Sequence, residues 1–371
     1  MTLRVCVVGP LPPPAGGMAN LTLQLVALLR AEGMLVELVQ TNAPYHPRLI
    51  ENVRGLRAGF RLLPYLARLW QAAGRADVMH VMANSGWSWR LFAAPAIRIA
   101  RLRRVPVLVN YHGGEAADFL TAAGANVRRT LGGAQVLAVP SSYLREVFHR
   151  NGLRTRTVPN VVDLERFRFR PPRPPSDSPV IAVTRNLEQI YGVDVAITAF
   201  AEIRKHIPSA RLDIAGTGPE LGRLQHLVAR LHLQEGVRFL GRLDPQAVAA
   251  LLVNADVVLN ASRADNTPGA LLEALAAGVP VVSSNAGGIP HLVRHGETAL
   301  LCPVDDAPAL AAAVLSVLGD PGLAERLIKK GVFEVEQYKW ARVKPLLLDA
   351  YRDCMRLENA GRSEIVHGEL A

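Results

Sequence analysis

Short, near-continuous apolar runs alternate with longer stretches of helical spacing along this chain. That pattern constrains the fold more than any other feature. Runs at 5–9, 35–41, 77–82, 106–111, 135–140 and 157–161 are apolar at nearly every position, as strands covered on both faces of a parallel sheet require. A stretch rich in proline follows, Arg168-Phe169-Arg170-Pro171-Pro172-Arg173-Pro174-Pro175-Ser176-Asp177-Ser178-Pro179. So many prolines exclude regular structure and read as a stiff interdomain linker. The alternation restarts at Val180-Ile181-Ala182-Val183-Thr184, with further strands expected at 211–215, 237–240, 256–260, 280–284 and 299–302. Helices are expected between them at about 193–205, 219–231, 245–254, 268–277 and 307–318. Two successive series of βα units predict an α/β protein made of two doubly wound, Rossmann-like parallel sheets facing across a cleft. With 371 residues the chain also exceeds the usual size of one hydrophobic core. The expected division is an N-terminal domain over 1–170, the linker over 171–179, and a C-terminal domain over 180–340. A further amphipathic helix at about 346–357 has no strand to serve, and the polar tail from Glu358 reads as disordered.

Half of the residues are hydrophobic and 20% are charged, which excludes a disordered chain and fits a globular enzyme. No uninterrupted apolar run is long enough for a transmembrane helix, and the N-terminus enters a strand without a signal-peptide layout. Cys6, Cys302 and Cys354 form no CxxC pair, as in a reducing compartment. A cytoplasmic location follows. The net charge of +10 is unevenly spread, with +14 in residues 1–175 and −4 in the remainder. Eleven arginines between Arg48 and Arg104 face only Glu51 and Asp77. Leu56, Phe60, Leu63, Leu66 and Trp70 alternate there with Arg54, Arg57, Arg61 and Arg68 at helical spacing. Such a helix fits an anionic membrane surface, here the inner leaflet of the plasma membrane. A solvated face and a nucleic-acid patch are the competing readings, and no nucleic-acid-binding motif supports the last.

The segment Asp265-Asn266-Thr267-Pro268-Gly269-Ala270-Leu271-Leu272-Glu273 places two carboxylates eight residues apart across a helix start. Thr267 is expected to cap that helix and Pro268 to take its first position. The N–H groups of Gly269 and Ala270 then point out of the positive helix end, where a phosphate is favoured. Glu273 lies on the same face, in reach of hydroxyls on whatever carries the phosphate. A well-capped ordinary helix is the alternative for the segment taken alone. Gly16-Gly17, after the first strand, allow close approach to an anion or make a plain turn. His112, in Asn110-Tyr111-His112-Gly113-Gly114, stands at a strand's carboxyl end as a sugar-hydroxyl partner or as a satisfied strand-end histidine. Arg185 ends the first strand of the second series, with a planar fork suited to a diphosphate. Gly216-Thr217-Gly218 is a second backbone-approach site at a helix start, and Asn285-Ala286-Gly287-Gly288-Ile289-Pro290 is expected to line the same cleft. Neither G-x-G-x-x-G after the first strand nor G-x4-G-K-[ST] occurs, against dinucleotide and P-loop readings.

Taken in order, Gly16-Gly17, His112, Ser141, Val158-Pro159-Asn160-Val161-Val162-Asp163, Arg185, Gly216-x-Gly218, Asp265-x7-Glu273, Gly278-Val279-Pro280-Val281-Val282 and Gly287-Gly288 resemble the retaining GT-B glycosyltransferases of family 4 over roughly residues 3 to 356. The resemblance implies a nucleoside-diphosphate sugar as donor, no cofactor and no essential metal, and retained anomeric configuration. It also implies a glycan or lipid-linked acceptor and a C-terminal helix, 341–357, that crosses back to the first domain. By position, Glu273 would hold the donor ribose, and Asn266, Thr267, Pro268, Gly269 and Ala270 the phosphates. Asp265 would meet the donor sugar, Arg185 the departing diphosphate and His112 the region of the anomeric carbon. Gly16, Gly17, Gly216 and Gly218 would border the donor, and Leu240 with Gly241 would touch the base. The sequence departs from the family pattern at three positions. Tyr191 precedes Gly192 where a lysine is usual, His291 follows Gly287-Gly288-Ile289-Pro290 where a glutamate is common, and Asp265 replaces a glutamate. A nucleotide-sugar epimerase and a non-catalytic nucleotide-sugar-binding partner are the alternative functions.

Overall fold

The computed structural model describes residues 2–13, 16–44, 56–122, 124–173 and 176–368, with side chains described from residue 60 in the helix beginning at Leu56 and up to residue 358 in the last helix. The expectations for Pro14, Ala15, Arg48, Glu51, Arg54, Pro174 and Pro175, and for the side chains of Leu56 and Arg57, fall outside it. The chain forms two compact units, one of Met1–Asn160 with Val343–Ala371 and one of Val161–Arg342.

The first unit is a parallel sheet of β1 (Arg4–Gly9), β2 (Leu35–Gln40), β3 (Val78–Ala83), β4 (Val107–Tyr111), β5 (Val136–Val139) and β6 (Arg156–Thr157). Its order is β2-β1-β3-β4-β5-β6. β1 to β5 lie on predicted apolar runs, whereas β6 is the short polar pair Arg156–Thr157 at the edge and residues 158–161 form no strand. The sheet centre is almost wholly buried, as at Val81, Val107 and Val109. The helices are α1 (Gly17–Ala31), α2 (Leu56–Ala73), the single turn α3 (Gly86–Ser88), α4 (Ala94–Leu102), α5 (Ala116–Ala122), α6 (Gly124–Leu131) and α7 (Ser142–Arg150). On α2, Tyr65, Leu69, Ala72 and Ala73 face the core, whereas Phe60, Leu63 and Trp70 are exposed.

In the second unit the parallel sheet has the order β12-β11-β10-β7-β8-β9. Its strands are β7 (Val180–Thr184), β8 (Arg211–Ala215), β9 (Val237–Gly241), β10 (Val257–Asn260), β11 (Val281–Ser284) and β12 (Leu300–Cys302). The helices are α8 (Val193–His206), α9 (Leu221–Arg230), α10 (Pro245–Asn254), α11 (Gly269–Ala276), the single turn α12 (Ile289–Leu292), α13 (Ala307–Gly319) and α14 (Pro321–Val335). The strand order reverses between β7 and β10, which pair directly. A doubly wound sheet opens a ligand crevice at the carboxyl ends of such a pair.

The last helix, α15 (Trp340–Gly368), joins the first unit from Val343 onward. Its Tyr351 is buried, with the hydroxyl 2.8 Å from His80 Nδ1, and Arg156 ion-pairs with both Asp349 and Asp353. The helix runs on to Gly368, so the segment from Glu358 expected to be disordered is its continuation. The helix begins at Trp340, ahead of the expected 346, with Pro345 inside it. A second correction concerns the proline-rich segment. The units exchange chain at residues 160/161 and 342/343 rather than at 171–179, and the segment packs on the second unit. Arg170 N–H donates to Ala277 O at 3.1 Å and its guanidinium to Ala255 O at 2.7 Å. Prolines there shape a strap rather than a hinge.

Candidate active site

The reversal point of the second sheet gathers the polar residues. Arg185 leaves the end of β7 and Ser262 the end of β10. The guanidinium donates to Ser262 Oγ at 3.1 Å and ion-pairs with Asp265. Ser262 donates to Asn260 Oδ1 at 2.9 Å, and Asn260 donates to Ser283 Oγ at 2.9 Å. Asn260, Ser262 and Ser283 are buried, so this chain of bonds fixes Arg185 from below. The face of the guanidinium lies 4.6 Å from the Tyr191 ring, a cation–π contact. Burial lowers the Arg185 pKa to about 10, against the counter-effects of Tyr191 and Glu273. It stays cationic at neutral pH. Its Nε is buried without a partner, a donor that an anion would satisfy.

The turn carrying Tyr191 is pinned in turn. Arg263 donates to Gln189 O at 2.7 Å, and pairs with Asp194 at 3.1 Å and Asp305 at 2.7 Å. Arg263 N–H also donates to Ile190 O at 2.8 Å. The position where a lysine was expected therefore holds an aromatic wall for Arg185.

Glycines set the backbone of this site, in a way the sequence reading did not anticipate. A Cβ at Gly216 would lie 1.9 Å from Arg185 O, and one at Gly218 2.2 Å from Leu187 O. A Cβ at Gly287 would lie 2.2 Å from Asp265 O, and one at Gly288 2.2 Å from Asn266 O. On the side where a Cβ would stand, these glycines admit neighbouring backbone. They clamp the two segments carrying Arg185 and Asp265.

Helix α11 begins at Gly269, with Pro268 at the cap position in an extended conformation and no side-chain cap. Thr267 is therefore not the cap, and its buried Oγ1 has no partner. Pro268, lacking an N–H, precedes the first turn instead of opening it. The helix end is left uncapped, with the N–H groups of Gly269 and Ala270 at its positive pole. Glu273 leans back along the helix, so that its Oε1 is the nearest atom, at 3.9 Å, to a Cβ built on Gly269. Burial pushes the Glu273 carboxyl up to about 7, opposed by the positive charges of Arg185 and Arg166. Leu240 is half-buried and packs against the core beside β9.

In the first unit, Gly16 and Gly17 open α1 without a side-chain cap. A Cβ on either would meet nothing within 4 Å. His112 follows β4, with its N–H donating to Ala83 O at 2.9 Å. Its Nε2 is buried without a partner, and burial lowers its pKa to about 4. It is a neutral imidazole at physiological pH. Asn110 Oδ1 is likewise buried and unpartnered, while the Tyr111 hydroxyl bonds to Ser85. Ser262 and Asn260 were missed in the sequence, although two polar residues closing the run Val257-Val258-Leu259 are a readable signal. Among the described residues no group of His, Cys, Asp or Glu is arranged to hold a metal ion.

A doubly wound unit with a buried arginine and an uncapped helix end at its reversal point is the architecture of a phosphate-ligand enzyme. Comparison with known proteins narrows the class. The model of the Glycosyl transferases group 1 matches residues 165–332, and that of Glycosyltransferase Family 4 matches residues 15–166. A glycogen synthase of Mycobacterium tuberculosis is 32% identical over 289 residues, covering 73% of this chain and 66% of that protein. A phosphatidyl-myo-inositol mannosyltransferase of Mycobacterium leprae is 26% identical over 359 residues, covering 91% of this chain and 92% of that protein. The structure of Anabaena Alr3699/HepE in complex with UDP shares the fold, with a TM-score of 0.72 at 18% identity, over 94% of this chain and 99% of that one. The chain belongs to the group 1, family 4 glycosyl transferases and has their GT-B fold. The chain matches just under two thirds of the length of the glycogen synthase.

Proposed function

We propose that the protein is a retaining glycosyltransferase that moves a sugar from a nucleoside-diphosphate sugar to a glycan or lipid-linked acceptor. The observation that carries this reading is Arg185, buried and cationic with an unpartnered Nε, in the same unit as an uncapped helix end that bears Glu273 over its first turn. The bond from the anomeric carbon to the diphosphate breaks with charge flowing onto the diphosphate. Arg185 and the N–H groups of Gly269 and Ala270 are fixed donors that stabilise that charge without reorganising. Glu273 accepts hydrogen bonds from the ribose hydroxyls. Asp265, through its other oxygen and its pair with Arg185, orients the donor sugar. His112, as a neutral imidazole, offers its free nitrogen to a sugar hydroxyl.

The exposed Phe60, Leu63 and Trp70 on the arginine-rich α2 support association with an anionic membrane surface. A cytoplasmic location on the inner leaflet is part of this reading.

The test is a panel of nucleoside-diphosphate sugars scored by thermal shift, followed by NMR of the product formed from the stabilising donor. An α-linked donor should give an α-linked product. Inverted product would overturn the retaining mechanism. Conversion of the donor to its epimer without any acceptor would replace the transferase reading with an epimerase.

A further inference from the structure

In the first unit, the chain leaving β3 and the helices that follow β4 build a cavity that the donor chemistry does not use. The cavity measures about 560 Å³ and lies between the segment from Gly86 to Arg98 and helices α5 and α6. Its floor is apolar, formed by residues such as Phe119 and Val127, and its charged lining residues are Arg90 and Arg98, with no carboxylate in the lining. Trp87 stands at the wall with 72% of its surface exposed, and the Arg90 guanidinium lies 5.6 Å from its ring.

Local backbone geometry presents these side chains deliberately. Gly86 adopts φ of 67°, a left-handed conformation that turns the chain sharply after β3. The helix then widens to a π turn over Trp89–Ala93, in which Ala94 N–H donates to Trp89 O. Such π turns are frequent at functional sites. Here the turn sends Trp89 inward and leaves Arg90 exposed. An exposed indole with Arg90 against its ring, at the mouth of a cavity that Arg98 also lines, offers a flat apolar surface beside positive charge.

We propose that this cavity binds the phosphate-ester end of the acceptor. Two guanidinium forks suit the multiple oxygens of a phosphate. The volume exceeds what a bare phosphate fills, and the apolar floor with Trp87 takes the ring or chain attached to it. The inference rests on the transferase reading, because it assigns that enzyme's acceptor an anionic handle in the first unit.

Isothermal titration of the full chain with two probes tests it: dihexanoyl-phosphatidylglycerol and glycerol 1-phosphate. Wild type should bind at least one. Equal affinity for both identifies a soluble phosphate ester, and a tenfold preference for the first identifies a lipid headgroup. The double variant Arg90→Ala/Arg98→Ala should weaken binding at least tenfold. So should Ala122→Phe, which fills the cavity and keeps both arginines. A control pair of exposed arginines in the same unit, Arg145→Ala/Arg154→Ala, should stay within twofold. Absence of wild-type binding to both probes, an unchanged Arg90/Arg98 variant, or an equal loss in the control pair each overturns the proposal. UDP is titrated in parallel. Bound UDP with no phosphate-ester binding defeats this inference alone, whereas loss of UDP binding in the wild type defeats the donor site beneath it.

Discussion

The two units share a doubly wound sheet but treat their reversal points differently. In the second, the segments carrying Arg185 and Asp265 are clamped, although Arg185 Nε and Thr267 Oγ1 are left without partners. Gly216 and Gly218 press on the Arg185 strand end, Gly287 and Gly288 press on Asp265 and Asn266, and Ser262 and Asn260 tie the guanidinium to the sheet. In the first, a Cβ on Gly16 or Gly17 would meet nothing, and His112 and Asn110 each carry an unpartnered buried atom. Trp87 is left in solvent. A site that meets one invariant group, a nucleoside diphosphate, gains from rigid preorganisation. A site for an acceptor leaves adaptable polar groups in place. On the proposed function, the contrast would put the donor half of the reaction in the second unit and the acceptor half in the first.

The largest effect expected from breaking it is at Arg185. Arg185→Ala removes the fixed charge opposite the leaving group, and turnover should fall about a thousandfold, in line with loss of a preorganised transition-state donor. Trp87→Ala, in the open unit, should leave UDP affinity within twofold of wild type. Single-turnover rates and UDP titrations of both variants check this. Equal losses of UDP affinity in the two would erase the division of labour.

Glycine substitutions sharpen the comparison at a smaller scale. Gly216→Ala forces a methyl onto Arg185 O and should cost about 2–4 kcal/mol of stability, together with UDP binding. Gly17→Ala meets no atom at the start of a helix and should be neutral or stabilising by up to about 1 kcal/mol. Urea unfolding of each variant measures the pair. A similar cost at both positions would mean the first unit is clamped as tightly as the second.

Those glycines also mark where the sequence stopped being legible. All the strands but the edge pair β6 lie on apolar runs, because burial on both faces writes itself into consecutive residues. Arg185, Asp265 and Glu273 were legible because strand ends and helix starts fix where side chains emerge. A glycine pair is different. It signals close approach without saying what approaches, and at Gly216-x-Gly218 the Cβ side is filled by backbone. Thr267 failed as a cap because Pro268 took the extended cap conformation itself, a choice that local propensity does not decide. The strap at Arg170 depends on carbonyls of Ala255 and Ala277, far off in sequence. The role of Tyr191 was hidden for the same reason, since its partner Arg185 is adjacent only in space.

The smallest effect tests how tightly the second unit encloses Glu273. Burial raises its pKa from 4.5 to about 7, so the fold favours the neutral carboxyl. A raised carboxyl pKa costs stability as the group ionises. The cost is absent below pH 4.5, grows as pH rises through 7, and is constant above that. Because one edge of the side chain remains open to solvent, the full cost is about 2 kcal/mol. Glu273→Gln stays neutral at every pH. Its stability should match wild type at pH 4 and exceed it by about 2 kcal/mol at pH 8, while its UDP affinity falls. Thermal melts across that range decide the matter. A constant stability difference between the two proteins would mean that Glu273 sits in water-like surroundings. The rigid, desolvated character assigned to the second unit would then end at Arg185.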